Sequence, residues 1–142
     1  MMVYLVRHGE ANPEGERHLS PQGIKEVNSV SKKLLDKKIQ IEEAFHSGKE
    51  RAKETCEILA NNLFKNVKIT ISNDLSPSSD ISIWGNILNS ENKNLLLVGH
   101  LPFLSDLTYY LIGDLIEFKT SEVVCLEKIS SNKWKLCWKV KP

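Results

Sequence analysis

Short apolar runs alternate along the chain with stretches whose apolar residues recur every three or four positions. The runs have the length of strands, and the periodic stretches are typical of helices that bury one face. The predicted strands are Met2–Val6, Glu43–Ser47, Val67–Ile71, Leu95–Gly99, Glu122–Ile129 and Trp134–Val140. Because the residues from Leu95 to Val98 are apolar without alternation, we expect that strand to be covered on both faces of its sheet.

Three strong helices and one weaker helix are predicted between these strands. The first follows Ser20-Pro21, a capping residue and a first-turn proline. The second follows Ser47, whose spacing to Glu50 is that of a capping box. The third begins near Pro102, and the weaker helix covers Asp80–Asn89. The predicted inward-facing residues are Ile24, Val27, Val30 and Leu34 in the first helix, Ala52, Cys56, Leu59, Ala60 and Leu63 in the second, and Leu104, Leu107, Thr108 and Leu111 in the third.

The alternation of strands and helices predicts an α/β fold formed by one domain over residues 1–142. A chain of 142 residues is long enough to bury a core without disulfides or metals. We expect a three-layer α/β/α sandwich around a mostly parallel, doubly wound sheet. The last two strands are predicted to add an antiparallel hairpin at one edge.

Charge and hydropathy exclude several classes of partner. The net charge is +1, from 19 basic and 18 acidic residues, which gives no support for nucleic acid as a partner. No apolar stretch reaches 18 residues, so we expect no membrane span. The first apolar run is too short for a signal peptide and ends in Arg7-His8, which favours a cytoplasmic protein. No segment indicates an interface, and we expect a monomer.

The three cysteines also favour a reducing compartment. Cys125 and Cys137 lie on the two strands of the predicted hairpin, so a cross-strand disulfide is conceivable there. We nevertheless expect free thiols. The cysteine spacings do not fit a zinc site.

Polar side chains follow three predicted strands at the point where each strand ends. The first strand ends at Arg7-His8, and the long apolar strand ends at Gly99-His100. The second ends at His46-Ser47, after which a helix opens with Arg51. Since the carboxyl ends of parallel strands share one rim of a sheet, Arg7, His8, Arg51 and His100 are expected to meet there.

This set of residues fits phosphoryl transfer. Arginines offer forked donors to phosphate oxygens, so Arg7 and Arg51 are the predicted anion ligands, assisted by His100. Neutral His8 is the predicted nucleophile, which would form a phosphohistidine that water then hydrolyses. No acidic cluster accompanies the set, so we expect neither a metal nor another cofactor. Taken singly, Arg7 and Arg51 could be surface charges and His100 a helix N-cap.

The motifs resemble those of the histidine phosphatase (phosphoglycerate mutase-like) superfamily. The matching segments are Arg7-His8-Gly9-Glu10, the pattern Ser-x-x-x-Arg-Ala-x-x-Thr from Ser47 to Thr55, and Val98-Gly99-His100. The chain is most similar to the short phosphohistidine phosphatases of the SixA type. That similarity lies in residues 17–23, 74–80, 99–102, 118–121 and 138–142, and so extends along the whole chain.

The resemblance implies that His8 is the phosphorylated nucleophile and that Arg7, Arg51 and His100 form the phosphate pocket. It also implies a substrate-binding role for Arg17, which could otherwise be a loop charge, and Ser47 is a further predicted substrate-binding residue. Many relatives have a phosphate-binding asparagine where this chain has Glu14. Either Asn12 replaces that asparagine or the contact is lost.

The general acid of the related esterases is missing here. Those relatives carry a Leu-x-Glu segment, whereas this chain has Leu75-Ser76-Pro77. An alkoxide leaving group needs a proton from an acid, but a protonated imidazole does not. Asp80 could be a displaced acid or a helix cap, and Glu10 could be an acid or a structural residue of its loop.

Three functions follow as hypotheses. The first is a phosphatase acting on phosphohistidine of a protein, such as that of phosphorelay domains, and it is favoured by the missing acid. The second is a phosphatase acting on a small phosphate compound, which would need an acid such as Asp80. The third is a phosphate-binding module without catalysis, against which the intact set of Arg7, His8, Arg51 and His100 argues. The loops Gly9–Ser20 and Ile71–Asp80 are too short to form a large lid, which favours an open site.

Overall fold

The computed structural model describes residues 1–142 and contains six strands and four helices. The strands are β1 (Met2–Arg7), β2 (Glu43–His46), β3 (Lys68–Ile71), β4 (Leu95–Gly99), β5 (Val123–Ser130) and β6 (Lys133–Val140). The helices are α1 (Pro21–Leu34), α2 (Glu50–Leu63), α3 (Ile81–Ser90) and α4 (Phe103–Ile112). Every predicted strand is present, with its ends moved by no more than one residue.

All six strands form a single sheet in the order β3-β2-β4-β1-β5-β6. The first four of these are parallel to one another, while β5 runs antiparallel to β1 and β6 runs antiparallel to β5. The predicted doubly wound sheet with an antiparallel C-terminal hairpin is therefore confirmed. The sheet order puts the ends of β1 and β4 side by side at its centre.

Helices cover both faces of the sheet. Val3 and Leu5 of β1 pack with α3 and α4, whereas Tyr4 and Val6 pack with α1 and α2. All five residues of β4 are buried, as expected for a strand that is covered on both faces. The resulting three layers are the predicted α/β/α sandwich, and the sheet contributes to two separate hydrophobic clusters.

Two local predictions are wrong. Ile24 is 44% exposed, because the face that α1 buries consists of Gly23, Val27, Val30, Ser31 and Leu34. Ser47 does not cap α2, whose N-cap is Lys49 without any side-chain hydrogen bond. Between them Gly48 adopts a positive φ of 91°, which separates the end of β2 from the start of the helix.

The three cysteines are free thiols, as expected, with Cys56 and Cys125 buried and Cys137 exposed. The pairing of β5 with β6 shifts register next to Cys125, whose partner is Trp138 rather than Cys137. None of the four helices combines the length and the hydrophobicity needed to cross a bilayer.

The segment after β1 packs very closely against the start of α1. The amide of Gly23 donates to Ser20 Oγ, and the backbone of Glu10 passes directly over Gly23. A Cβ at Gly23 would lie 2.1 Å from the Glu10 carbonyl oxygen, closer than any real contact. This glycine therefore sets how near α1 comes to the rim of the sheet.

We expect Gly23→Ala to lower the free energy of unfolding by about 3 kcal/mol, because backbone must move to relieve the collision. Urea denaturation followed by circular dichroism measures the change. The neighbouring Gln22→Ala, at an exposed position of the same helix turn, serves as the control and should change stability little. Equal stability of the two variants would contradict the close packing described above.

Candidate active site

His8 lies at the carboxyl end of β1, in the centre of the sheet. Its backbone amide donates to the carbonyl of Gly99 at the end of β4, at 3.0 Å. This bond continues the pairing of the two strands by one residue beyond Arg7 and Gly99. His8 is therefore held against the strand that leads directly to His100.

The ring of His8 has a defined tautomer. Its Nδ1 lies 2.7 Å from the carbonyl oxygen of Gly9, which can only accept a hydrogen bond. Nδ1 must therefore carry the proton. In the neutral ring, Nε2 then keeps its lone pair and has no hydrogen-bond partner within the protein.

Helix α2 is tied to the loop after β1 through Thr55. The amide of Gly9 donates to Thr55 Oγ1 at 2.9 Å, and the hydroxyl donates to the carbonyl of Arg51 at 2.7 Å. Thr55 is completely buried. These bonds fix the first turn of α2, and with it Arg51, beside the end of β1.

His100 lies next to His8, with ring centroids 4.9 Å apart and planes tilted by 51°. Its Nε2 is 2.6 Å from Ser47 Oγ at the end of β2. The hydroxyl that a capping box would have used therefore binds His100 instead. The structure thus brings the ends of β1, β2 and β4 together at one rim, the rim at which Arg7, His8, Arg51 and His100 were predicted to meet.

Several buried polar atoms in this region have no partner in the protein. They include Nε of Arg7, Nε of Arg51 and Nδ1 of His100. Arg7 is otherwise anchored by one bond, from Nη1 to the carbonyl of Phe118 at 2.8 Å. No carboxylate is paired with either arginine. Buried N–H groups left unpaired are costly, so such a set is suited to receiving an anion.

Burial and nearby cations keep the imidazoles neutral. The pKa of His8 is lowered to about 4, mainly by burial and then by the charges of Arg51, Arg7 and Arg17, while the hydrogen bond to Gly9 raises it. Burial likewise lowers the pKa of His100 to about 3, with His8 and Arg51 as the next largest causes. Both rings are therefore unprotonated at neutral pH in the absence of an anion.

Arg17 and Lys49 add positive charge to the same region. Arg17 lies on the exposed loop between β1 and α1, and its charge acts on His8, His100 and Arg51. Lys49 acts on His100. Sequence reasoning did not single out Lys49, although it lies inside the Ser-x-x-x-Arg motif at the helix start.

The remaining predicted residues lie at the periphery. Asn12 is exposed, and its backbone amide donates a hydrogen bond to the carbonyl of His18. Glu10 accepts a hydrogen bond from the Ser20 hydroxyl at 2.8 Å, which engages it in the structure of its loop. Asp80 is the N-cap of α3, where it accepts from the amide and hydroxyl of Ser82. These bonds lower the pKa of Asp80. Its carboxyl group is therefore ionised at neutral pH and unsuited to donating a proton.

His8 and His100 are both buried at the rim, with 8% and 2% of their surface exposed. The largest cavity has a volume of about 400 Å³ and is lined by residues such as Ile41, Leu63 and Phe64. It lies at the amino-terminal ends of β2, β3 and β4, opposite to the rim that carries His8 and His100. None of the cavities in the protein is lined by His8 or His100.

One cluster offers ligand atoms of the kind that metals use. His18, Glu50 and Glu54 bring such atoms within 4.8 Å of one another. Glu54 already binds the His18 ring and the amide of Leu19, so these groups satisfy each other. We assign no metal to them.

The sequence matches the family model described as the histidine phosphatase superfamily (branch 1) over residues 3–76, just over half of the chain. A search of curated proteins finds no match. The fold is shared with many solved structures. The protein histidine phosphatase SixA complexed with tungstate is 24% identical, has a TM-score of 0.92, and is matched over 99% of this chain and 97% of its own.

Two further structures share the fold at lower identity. A protein assigned as a phosphohistidine phosphatase SixA, from Agrobacterium tumefaciens, is 20% identical with a TM-score of 0.84, over 99% of this chain and 97% of its own. A phosphoserine phosphatase from Entamoeba histolytica, in complex with phosphoserine, is 13% identical with a TM-score of 0.71, over 97% and 95% respectively. At these identities the likeness concerns the fold alone.

We expect the ring of His8 to titrate near pH 4, which NMR of labelled imidazoles would measure. Arg51→Gln should raise this pKa but leave it below 6.5, because burial is the larger cause. Lys53→Gln, at an exposed position of the same helix, is the control and should leave the titration unchanged. A His8 pKa near 6.5 in the unaltered protein would contradict the burial of the ring.

The same titration predicts a loss of stability in acid. The unfolded chain binds the His8 proton near pH 6.5, whereas the folded protein binds it only near pH 4. The free energy of unfolding should therefore fall as the pH decreases through that interval.

Proposed function

Because the chain belongs to the histidine phosphatase superfamily (branch 1), we propose that it is a phosphatase that forms a covalent phosphohistidine on His8. We further propose that its substrate is phosphohistidine carried by a protein. No cofactor is needed for the steps that follow.

One observation carries the proposal. The unpartnered, buried Nε–H groups of Arg7 and Arg51 and the unpartnered Nδ1 of His100 belong to the same rim as the free Nε2 of His8. A phosphoryl group carries negative charge on three oxygens that three such donors can bind. A nucleophilic nitrogen beside a set of anion donors is the arrangement that phosphoryl transfer to histidine requires.

The first step is attack of His8 Nε2 on the phosphorus of the substrate. A bond forms between Nε2 and phosphorus as the bond from phosphorus to the substrate nitrogen breaks. The proton on Nδ1 stays bound to the Gly9 carbonyl, which stabilises the positive charge that develops on the ring. Arg7 and Arg51 hold the equatorial oxygens throughout, so the oxygens stay in place while the phosphorus moves.

His100 acts as a further donor to the phosphoryl oxygens. If Ser47 donates its hydroxyl proton to Nε2, the proton of neutral His100 resides on Nδ1, the atom that lacks a partner. Water then attacks phosphorus from the side that the substrate has vacated. The bond from phosphorus to His8 Nε2 breaks, inorganic phosphate leaves, and His8 returns to its neutral tautomer.

The proposed leaving group matches the acids that the site offers. Asp80 is engaged as a helix cap and Glu10 in its loop, so neither is poised to protonate an alkoxide. A substrate imidazole that already carries its second proton leaves as a neutral ring and needs no acid. This favours phosphohistidine over an alkyl phosphate.

The shortness of the loops beside the site supports a protein as the carrier. A phosphohistidine on a protein surface approaches together with the neighbouring residues of its own protein. It can therefore reach only a pocket that no lid covers. A mutase, in contrast, must keep its intermediate away from water. The short loops of this chain give no such enclosure.

The phosphoenzyme is the direct test. Mixing the protein with a phosphohistidine-bearing phosphorelay domain and quenching in alkali should trap a phosphate on His8, which mass spectrometry would locate. His8→Ala should abolish the trapped species and reduce phosphate release by roughly a thousandfold or more. Lys53→Ala is the control and should retain both. Undiminished phosphate release by His8→Ala would reject the mechanism.

Side-by-side turnover of the phosphorelay domain and a panel of phosphate esters tests the substrate. We expect kcat/KM to favour phosphohistidine and to be unchanged in Asp80→Asn. Faster turnover of an ester, with a strong loss in Asp80→Asn, would instead identify a small-molecule phosphatase. Absence of turnover and of phosphoenzyme with every donor would identify a binding module.

A further inference from the structure

The loop that carries Arg17 is held in place by one residue of α2. Glu54 accepts a hydrogen bond from the amide of Leu19 at 2.7 Å through Oε1. Through Oε2 it binds Nδ1 of His18 at 3.0 Å. The Glu54 carboxylate thus binds His18 and Leu19, the two residues directly after Arg17.

Arg17 needs such a restraint for two reasons. Its backbone has a φ of 57°, in the left-handed region that costs a non-glycine residue about 1 kcal/mol or more. Its charge also lies near other cations, and after burial it is the next cause that lowers the pKa of Arg51. Without a bound anion, electrostatic repulsion favours movement of Arg17 away from the pocket.

The loop has few other attachments near its tip. The amide of Asn12 donates to the carbonyl of His18, and Ala11 bridges Leu19, which closes the loop on itself. These bonds join parts of the loop to one another, and the buried side chain of Leu19 packs in the hydrophobic cluster between the loop, α1 and α2. The contacts of Glu54 add the hydrogen bonds that join residues 18 and 19 to α2.

His18 adds a second link between the loop and the helix. Its Nε2 is 3.2 Å from Glu16 of the loop, and its Nδ1 faces Glu50 at 3.9 Å as well as Glu54. The hydrogen bond to Glu54 and the three carboxylates raise the pKa of His18. A protonated ring donates from both nitrogens and joins Glu16 to α2.

We propose that Glu54 and His18 are positioning residues that hold Arg17 over the phosphate pocket and thereby determine the affinity for the phosphorylated substrate. This inference rests on the proposed function. Arg51 is three residues before Glu54, so the same helix sets both arginines. The phosphoryl group would then meet Arg17 and Arg51 at a fixed separation, although they come from different elements.

Steady-state kinetics with the phosphohistidine-bearing domain tests the proposal. Glu54→Ala should raise KM about tenfold, the size expected for loss of one charge-assisted hydrogen bond, and leave kcat within about twofold. Glu54→Gln keeps an acceptor for the Leu19 amide and should restore most of the affinity. His18→Ala, at an exposed position, should give an intermediate KM. Glu57→Ala, one turn further along α2, is the control.

A double-mutant cycle separates positioning from general damage to the fold. In an Arg17→Ala background, Glu54→Ala should have no further effect on KM, because the residue that it positions is already gone. Multiplicative effects of the two substitutions, or a loss in kcat with KM unchanged, would overturn the proposal.

Binding of inorganic phosphate, measured by calorimetry, keeps this inference distinct from the proposed function. Phosphate affinity should fall about tenfold in Glu54→Ala and show the same non-additivity with Arg17→Ala. If phosphohistidine were not turned over but phosphate binding behaved in this way, the positioning role would stand and the substrate assignment would fail. Unchanged phosphate affinity in Glu54→Ala would overturn the positioning role.

Discussion

The candidate active site depends on two hydrogen bonds made by the backbone of Gly9, one through its amide and one through its carbonyl. The amide of Gly9 donates a hydrogen bond to the buried hydroxyl of Thr55, and its carbonyl accepts a hydrogen bond from His8 Nδ1. The first bond joins the end of β1 to α2, and the second selects the tautomer of His8. Because Gly9 packs against Val27 and Leu19 with no room for a Cβ, the same residue also fixes the distance between the loop and α1. Loss of the Thr55 hydroxyl would therefore disturb the ring of His8 without touching it.

The distribution of charge around the rim follows from the same construction. After burial, the charges of Arg51, Arg7 and Arg17 lower the pKa of His8, and those of Arg51, Lys49 and Arg17 lower the pKa of His100. Glu10 and Glu54 bind the loop, and Asp80 caps a helix. Since each of these carboxylates is occupied by structural hydrogen bonds, the positive potential of the rim is left for an oxyanion.

Most of the fold and the centre of the site could be predicted from the sequence, because both depend on local patterns. The apolar run from Leu95 to Val98 and the polar residues at strand ends identify a parallel sheet and one rim. The errors arose at residues whose hydrogen-bond partners lie far away in the sequence. The Ser47 hydroxyl has a capping-box spacing, but His100, far along the chain, takes it. Glu54 and His18 are unremarkable in sequence, since their importance arises only when α2 packs beside the loop after β1.

The position of β1 has a consequence for biosynthesis. Val3 pairs with Leu95 on one side and with Leu126 on the other, so both neighbours of the first strand come from the second half of the chain. A nascent polypeptide leaving the ribosome therefore carries His8 long before the strands that will flank it exist. Contacts of such high sequence separation make folding slow relative to chains with local topology. The imidazole of His8 consequently gains its folded environment only late in translation, after β4 and β5 have been synthesised.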